Sequence, residues 1–338
     1  MENSLKVGVI GLGRIGKVHL ENLVYRTPNA QVVAVANPSS APFEVAKNLG
    51  VTNTYNHAEE VIHHKEVEAI FICSPTPTHK QLIQVAAQAG KHIFCEKPLD
   101  MTVAAIEAIN ATVAQANVKL QVGFNRRFDS NFRKVRQQVA NGSIGDAHIL
   151  KITSRDPAPP DLSYIQSSGG LFMDMTIHDF DMARFIVGSE VEEVYAKADV
   201  LVDPQIGQAG DIDTAVVTLT FKNGCLGVID NSRKAVYGYD QRLEIFGSKG
   251  MSRIENNHGD TEMFFDQTGG HRGVPYHFFM DRYTDSFCLE IQEFIRAVKD
   301  NLPVAVDGND ALQATKIALA ANASLQSNRP VILDNLKT

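Results

Sequence analysis

The chain is poor in cysteine, in runs of one charge and in long apolar stretches, and each shortage closes a class of explanation. Its 338 residues hold four cysteines, Cys73, Cys95, Cys225 and Cys288, widely spaced and without a Cys-x-x-Cys pair. Cys73 and Cys95 lie in apolar runs, where buried free thiols are expected. Lys and Arg form no long run and the formal net charge is −7, so neither nucleic acid nor an anionic membrane surface is expected as the main partner. No apolar stretch approaches the ~20 residues of a membrane span, and the first residues lead into a strand without a signal-peptide pattern. The chain also lacks internal repeats and low-complexity linkers. A soluble, cytoplasmic protein is the expectation. What is present is an ordinary globular balance, 44% hydrophobic and 21% charged, on a length that suggests two domains of roughly 150 residues each.

Leu5–Ile10 is a continuous apolar run, the pattern of a strand buried on both faces. Further strands are predicted over 31–36, 67–73, 92–95 and 119–122. Helices are predicted between them, to about Tyr25 and over 41–49, 78–89 and 102–116, with Thr102 as an N-cap. Such alternation requires crossover connections, and so a doubly wound parallel sheet of the Rossmann type over residues 1–124. From about residue 125 the pattern changes. Segments over 148–154, 193–202, 214–221, 225–231, 242–246 and 251–255 alternate polar and apolar residues. Lys222-Asn223-Gly224 and Gly247-Ser248-Lys249-Gly250 are hairpin-turn compositions. An α+β domain over 125–338, built on a large and mainly antiparallel open sheet, is expected. Helices predicted over 170–185, 286–299 and 308–325 cover its packed face or return to the first domain.

Gly11-x-Gly13-x-x-Gly16 follows the first strand and opens a helix, where glycines permit a tight turn and a close approach to a pyrophosphate. Gly11, Leu12, Gly13, Arg14, Ile15 and Gly16 are therefore candidate dinucleotide-binding residues; the bland alternative is a glycine turn kept for packing. The second strand ends at Asn37, a place where an acid would bind the ribose hydroxyl and repel a 2′-phosphate. Asn can bond the hydroxyls without a charge, so NAD is favoured and NADP stays open. Ser74, Thr76 and His79 lie just past the carboxyl end of the third predicted strand, on the side where such sheets bind ligands. Thr78 is read as the cap of the next helix.

Glu96-Lys97-Pro98 ends the 92–95 strand in the same position, so Glu96 and Lys97 join the candidate cofactor contacts. Standing alone it would be an ordinary turn; at the mouth of a dinucleotide site Lys97 can polarise a substrate hydroxyl. A cis Lys97–Pro98 bond is one option. Asp174 and His178 stand four apart in Gly-Gly-Leu-Phe-Met-Asp-Met-Thr-Ile-His-Asp and would share a helix face. His178 is read as the general base, steadied by Asp174. Asp174, His178 and Asp179 do not have convincing metal spacing, and His63-His64 is placed on a distant helix, so no metal is expected. Arg127, Asp156, Tyr237 and Tyr283 are candidate substrate contacts, with Tyr239 a softer one, and ordinary packing competes for each tyrosine.

With Gly-Leu-Gly-Arg-Ile-Gly, Ser-Pro-Thr-Pro-Thr-His, Cys-Glu-Lys-Pro-Leu and the Asp174–His178 segment in hand, the whole chain resembles the glucose–fructose oxidoreductase (Gfo/Idh/MocA) family. Within it the likeness is greatest to inositol 2-dehydrogenases, carried by Gly-Phe-Asn-Arg-Arg-Phe-Asp, Ser-Arg-Asp-Pro and Ser-Gly-Gly-Leu-Phe-Met-Asp-Met-Thr-Ile-His-Asp-Phe-Asp. The resemblance implies nicotinamide-dependent oxidation of a ring hydroxyl of myo- or scyllo-inositol to the inosose. It places the family's catalytic lysine on Lys97 and its Asp/His pair on Asp174 and His178. It also implies a homotetramer packed through the open sheet face. Many relatives carry an acid where this chain has Asn37. Two other readings are weighed: the same fold acting on an aldose or another cyclic polyol, and a cofactor-sensing regulator without catalysis.

Overall fold

A computed structural model describes residues 4–336. Among these the chain forms two compact units, one of residues 4–128 and 285–313, the other of residues 129–284 and 314–336.

The first unit is a parallel sheet. Its strands are β1 (Leu5–Ile10), β2 (Ala30–Ala36), β3 (Thr54–Tyr55), β4 (Ala69–Ile72), β5 (His92–Cys95) and β6 (Leu120–Val122). They lie in the order β3-β2-β1-β4-β5-β6, every pair parallel. The crossover helices are α1 (Arg14–Tyr25), α2 (Phe43–Asn48), α3 (Ala58–Ile62), α4 (His79–Gln88) and α5 (Val103–Ala116). The winding reverses between β1 and β4, so a crevice opens at their carboxyl ends. Val7, Val9, Phe71 and Phe94 are fully buried in this sheet, as strands covered on both faces require. The Thr284–Lys299 helix adds Ile291, Phe294 and Ile295 to the same core, with Phe294 edge-on to Phe71 at 5.5 Å. The return of a late helix to the first unit thus has a packing cause. Thr102 caps α5, its hydroxyl accepting the Ala105 N–H at 3.3 Å. Thr78 does not cap α4. Its hydroxyl instead donates to the Pro75 carbonyl at 2.8 Å and meets Ser74 Oγ at 2.6 Å, because a 3₁₀ turn over Thr76–Thr78 precedes the helix. His63 and His64 lie just past the end of α3 rather than on a helix.

The second unit is built on α6 (Ser130–Ala140), β7 (Ala147–Arg155), α7 (Leu162–Ser167), a π-helical turn (Phe172–Thr176) and α8 (Ile177–Val187). There follow β8 (Val191–Asp199), β9 (Thr214–Phe221), β10 (Leu226–Ser232), β11 (Asp240–Gly247), β12 (Gly250–Ile254), the hairpin of β13 (Met263–Asp266) and β14 (Gly269–Arg272), and β15 (Val331–Ile332). Seven of these strands form a sheet in the order β12-β11-β7-β10-β9-β8-β15, antiparallel except between β7 and β10. Along β7, Leu150, Ile152 and Ser154 turn to the buried face while Ile149, Lys151, Thr153 and Arg155 take the other. α8 packs on β7, and α6 packs on α8. α6 was not expected from the sequence, although Asp129 is a clear N-cap, accepting the Asn131 and Phe132 amides. No described helix is long and apolar enough to cross a membrane.

Candidate active site

β1 ends in Gly11, whose φ of +90° and tight fit demand glycine: a Cβ would stand 2.7 Å from the Cys73 carbonyl carbon. At Gly16 a Cβ would collide with the Gly11 carbonyl oxygen, so α1 can start directly against the turn. Gly13, by contrast, faces open space, and no side chain caps the first turn of α1. A helix start without a side-chain cap and with open space at Gly13 suits a pyrophosphate, so the residues present fit a dinucleotide. Leu12, Arg14 and Ile15 fill the turn and the first helical positions. Asn37 is closer to this turn than expected. Its Oδ1 accepts the Leu12 N–H at 3.0 Å and its Nδ2 donates to the Ser39 carbonyl at 2.8 Å.

Past β4, Ser74 and Thr76 are both partly exposed. His79 is not: it is buried, and its ring spans the Ser74 and Pro98 carbonyls at 2.8 and 3.0 Å, bracing the ends of β4 and β5. Burial pushes this imidazole below its usual range, against the two carbonyl contacts that favour the charged ring. Glu96, at the end of β5, is also buried. It meets His19 Nε2 at 2.6 Å and accepts the Lys97 amide at 3.3 Å. Lys97 keeps partial exposure, and the Lys97–Pro98 bond is cis.

In the second unit the decisive stretch runs from Leu171 to Arg184. Every residue in it is buried except Asp174 and His178. Asp174 lies on the π-helical turn and His178 in the first turn of α8. The simple i, i+4 expectation assumed an α-helix throughout; the structure inserts a π turn, a feature frequent at functional sites. Asp174 is held on both sides. Arg233, fully buried, approaches its Oδ2 at 3.3 Å, and the Tyr164 hydroxyl donates to its Oδ1 at 2.8 Å. Arg233 also reaches Asp211 at 3.3 Å, and Asp211 accepts the Leu171 amide at 3.0 Å. Gly170 makes room for that contact, since a Cβ there would sit 2.7 Å from Asp211 Oδ1. Asp179 faces inward, accepting from Asn231 Nδ2 at 2.8 Å, while Thr176 donates to Asn231 Oδ1 at 2.7 Å. These two bonds fasten the start of α8 to β10.

The other candidates fare differently. Arg127 is buried and forms a two-pronged ion pair with Asp310, at 2.8 and 3.1 Å, which fastens the first unit. Asp156 extends β7 by one residue, its amide donating to the Ser232 carbonyl at 3.0 Å. The Tyr237 hydroxyl donates to Asp240 at 2.6 Å and accepts from Arg155 at 3.1 Å. Arg155 and Asp240 are paired in register on the sheet face opposite Asn231, so the structure does not bring Tyr237 to Asp174. Tyr283 and Tyr239 are buried and pack edge to face, with the Tyr283 hydroxyl 3.4 Å from Gln241. Sequence reasoning missed Arg233, Asp211 and Tyr164. Two signals were available: Asp211-Ile-Asp213 ahead of a strand, and an arginine closing a strand that otherwise alternates.

A glycine turn fitted to a dinucleotide in one unit and a partly exposed Asp/His pair in the other are features that nucleotide-dependent oxidoreductases carry. Residues 5–124 match the model of an oxidoreductase family with an NAD-binding Rossmann fold, and residues 132–253 match the GFO/IDH/MocA C-terminal domain. The chain is 50% identical over 334 residues to myo-inositol 2-dehydrogenase of Thermotoga maritima, covering 98% of this chain and 99% of that protein. It is 44% identical to an inositol 2-dehydrogenase of Rhizobium meliloti, over 97% and 99% of the two chains. Scyllo-inositol dehydrogenase of Lactobacillus casei, solved with NAD(H) and scyllo-inositol, superposes with a TM-score of 0.92 at 33% identity, over 98% and 100% of the chains. The chain belongs to the Gfo/Idh/MocA oxidoreductase family, and its residues 5–124 are that family's NAD-binding Rossmann fold.

Proposed function

We propose that this protein oxidises one ring hydroxyl of myo- or scyllo-inositol to the inosose. Residues 1–124 serve the nucleotide, and residues 125–338, apart from the stretch 285–313 that packs with the first unit, serve the substrate and assembly. The observation that carries the reading is that Asp174 and His178 alone keep partial exposure within an otherwise buried helical stretch. Bound NAD supplies the hydride acceptor. His178 takes the hydroxyl proton as the carbinol C–H bond breaks with its electron pair and the C–O bond becomes a carbonyl. Asp174, oriented by Arg233 and Tyr164, steadies the imidazolium that forms. Lys97, carried by the Glu96-anchored end of β5, donates to the same oxygen and favours its ionisation. The 50% identical myo-inositol enzyme and the scyllo-inositol-bound neighbour support the substrate class.

The test combines a substrate panel with two variants. Reduced-cofactor absorbance should rise with myo- or scyllo-inositol and more weakly, if at all, with aldoses. A flat trace across the panel with tight NAD binding would turn the assignment toward a cofactor sensor. Lys97→Met and His178→Ala should each lower kcat by about 10²–10⁴ with the NAD Kd unmoved. Parental turnover in either one removes that residue from the mechanism.

The open sheet face supports assembly. Leu226, Ile149, Phe246 and Met251 are paired in register across β10, β7, β11 and β12, and each is at least 41% exposed. An apolar row four strands wide is unusual on a monomer surface, and a second copy of this chain, within a homotetramer, is its proposed cover. The four cysteines, all free and buried, are in keeping with a cytoplasmic protein.

A further inference from the structure

Beneath the crevice the first unit buries three ionisable side chains together. One donor atom each from His19 on α1, Glu96 after β5 and Glu290 on the Thr284–Lys299 helix lies within 4.8 Å of the others. Their surroundings are apolar. The Phe94, Phe287 and Phe71 rings pack around His19 at 5.2, 6.0 and 6.3 Å. Glu290 is fully buried, neither of its carboxyl oxygens meets a hydrogen-bond donor, and no cation pairs with it. Gln121, on β6, bonds its backbone carbonyl at 2.9 Å rather than its side chain. The thiols facing the cluster from the sheet are Cys73 and Cys95, both pushed well up by burial and by Glu96, and so neutral.

Two carboxylates this close in an apolar core cannot both be charged. Glu96 has what a carboxylate needs, the His19 ring at 2.6 Å and the Lys97 amide at 3.3 Å. Glu290 has neither, and is left as the partner with a proton to give. We propose that Glu290 is a positioning residue for Lys97: as a carboxylic acid it shares its proton with Glu96, completing with His19 a three-group clamp on the backbone that carries the lysine. Burial first, and the Glu96 charge second, hold the Glu290 acid well above the usual carboxyl range, in accord with that assignment. A metal ion would need these donors near 2.0–2.2 Å from a common centre. The direct 2.6 Å contact between His19 and Glu96 leaves no place for one between them.

The proposal rests on the reading of Lys97 as the residue that polarises the substrate hydroxyl, and the experiment keeps the two apart. Infrared difference spectra of the NAD-bound protein at neutral pH, parent against Glu290→Gln, should contain the C=O stretch of a buried carboxylic acid. Glu290→Gln, a neutral isostere that still donates to Glu96, should turn over inositol close to the parent. Glu290→Leu should lose about tenfold to a hundredfold in kcat with the NAD Kd unchanged, the cost of a misplaced catalytic group. A spectrum without the acid band overturns the proposal, as does parental kcat in Glu290→Leu while Lys97→Met is inactive. Stoichiometric metal in the purified protein, lost in Glu290→Gln, overturns it too. Parental kcat in Lys97→Met instead defeats the underlying reading. Should Glu290→Leu fail to fold, the Glu290→Gln spectrum and turnover decide.

Discussion

Asn37 occupies the strand end where a carboxylate would meet the cofactor ribose, yet its side chain is turned to the glycine loop, accepting from Leu12 and donating to the Ser39 carbonyl. A carboxylate could repeat the first bond but not the second. The substitution of Asn for an acid therefore has a local structural reason as well as a consequence for the cofactor. Asn37→Ala should raise the KM for NAD about threefold to tenfold, the worth of one such hydrogen bond, with kcat nearly unchanged. Steady-state kinetics in NAD concentration check this. A drop in kcat alone would place Asn37 in the chemistry instead of the loop. His79 teaches a similar lesson. Its residue type and position suggested a ligand contact, and its burial between two carbonyls makes it a brace for β4 and β5.

At the scale of elements, the π-helical turn and the Asp211–Arg233–Asp174 chain explain how one carboxylate is aimed. A single buried guanidinium lies between two acids, so removing it takes the ion pair from both. Arg233→Met should destabilise the fold by about 3–5 kcal/mol in denaturant titrations and lower kcat as well. Unchanged stability would mean that Asp174 is held by other means. The same loop contains Asp213, whose carboxylate accepts the Leu201, Val202 and Asp203 amides at 2.8, 2.9 and 3.0 Å and the Thr214 hydroxyl at 2.9 Å. Burial alone would raise this acid, but the four donors outweigh it and hold it below the usual range. A depressed folded value stabilises above the unfolded carboxyl pKa of about 3.9 and is lost as pH falls through the folded one. The Tm of the parent should thus exceed that of Asp213→Asn by a steady margin at neutral pH, and the margin should shrink below about pH 4. A margin that is constant down to acid unfolding would refute the assignment.

For the whole molecule, the exposed row of Leu226, Ile149, Phe246 and Met251, set by the sheet register, is the proposed contact between copies. Phe246→Glu should shift the protein to a smaller species in light scattering behind size exclusion, since a charge in a closed apolar contact is costly. A parental mass in that variant would move the interface elsewhere. Much of this architecture could be read from the chain alone. Apolar runs at β1, β4 and β5 read as doubly covered strands, alternation along β7, β9 and β10 reads as a one-sided sheet, and the spacing of the first-turn glycines marks the dinucleotide turn. Lys97, Asp174 and His178 could be proposed from the sequence because their motifs are local. What the three-dimensional structure decided was which polar groups are committed to one another across long sequence gaps. Arg127 pairs with Asp310, Tyr237 joins Arg155 and Asp240, Arg233 bridges Asp211 and Asp174, and Glu290 comes to Glu96. Local propensity is a property of neighbours in the chain. The partner of a buried charge is set by which distant segments pack against it, and only the folded molecule holds that information.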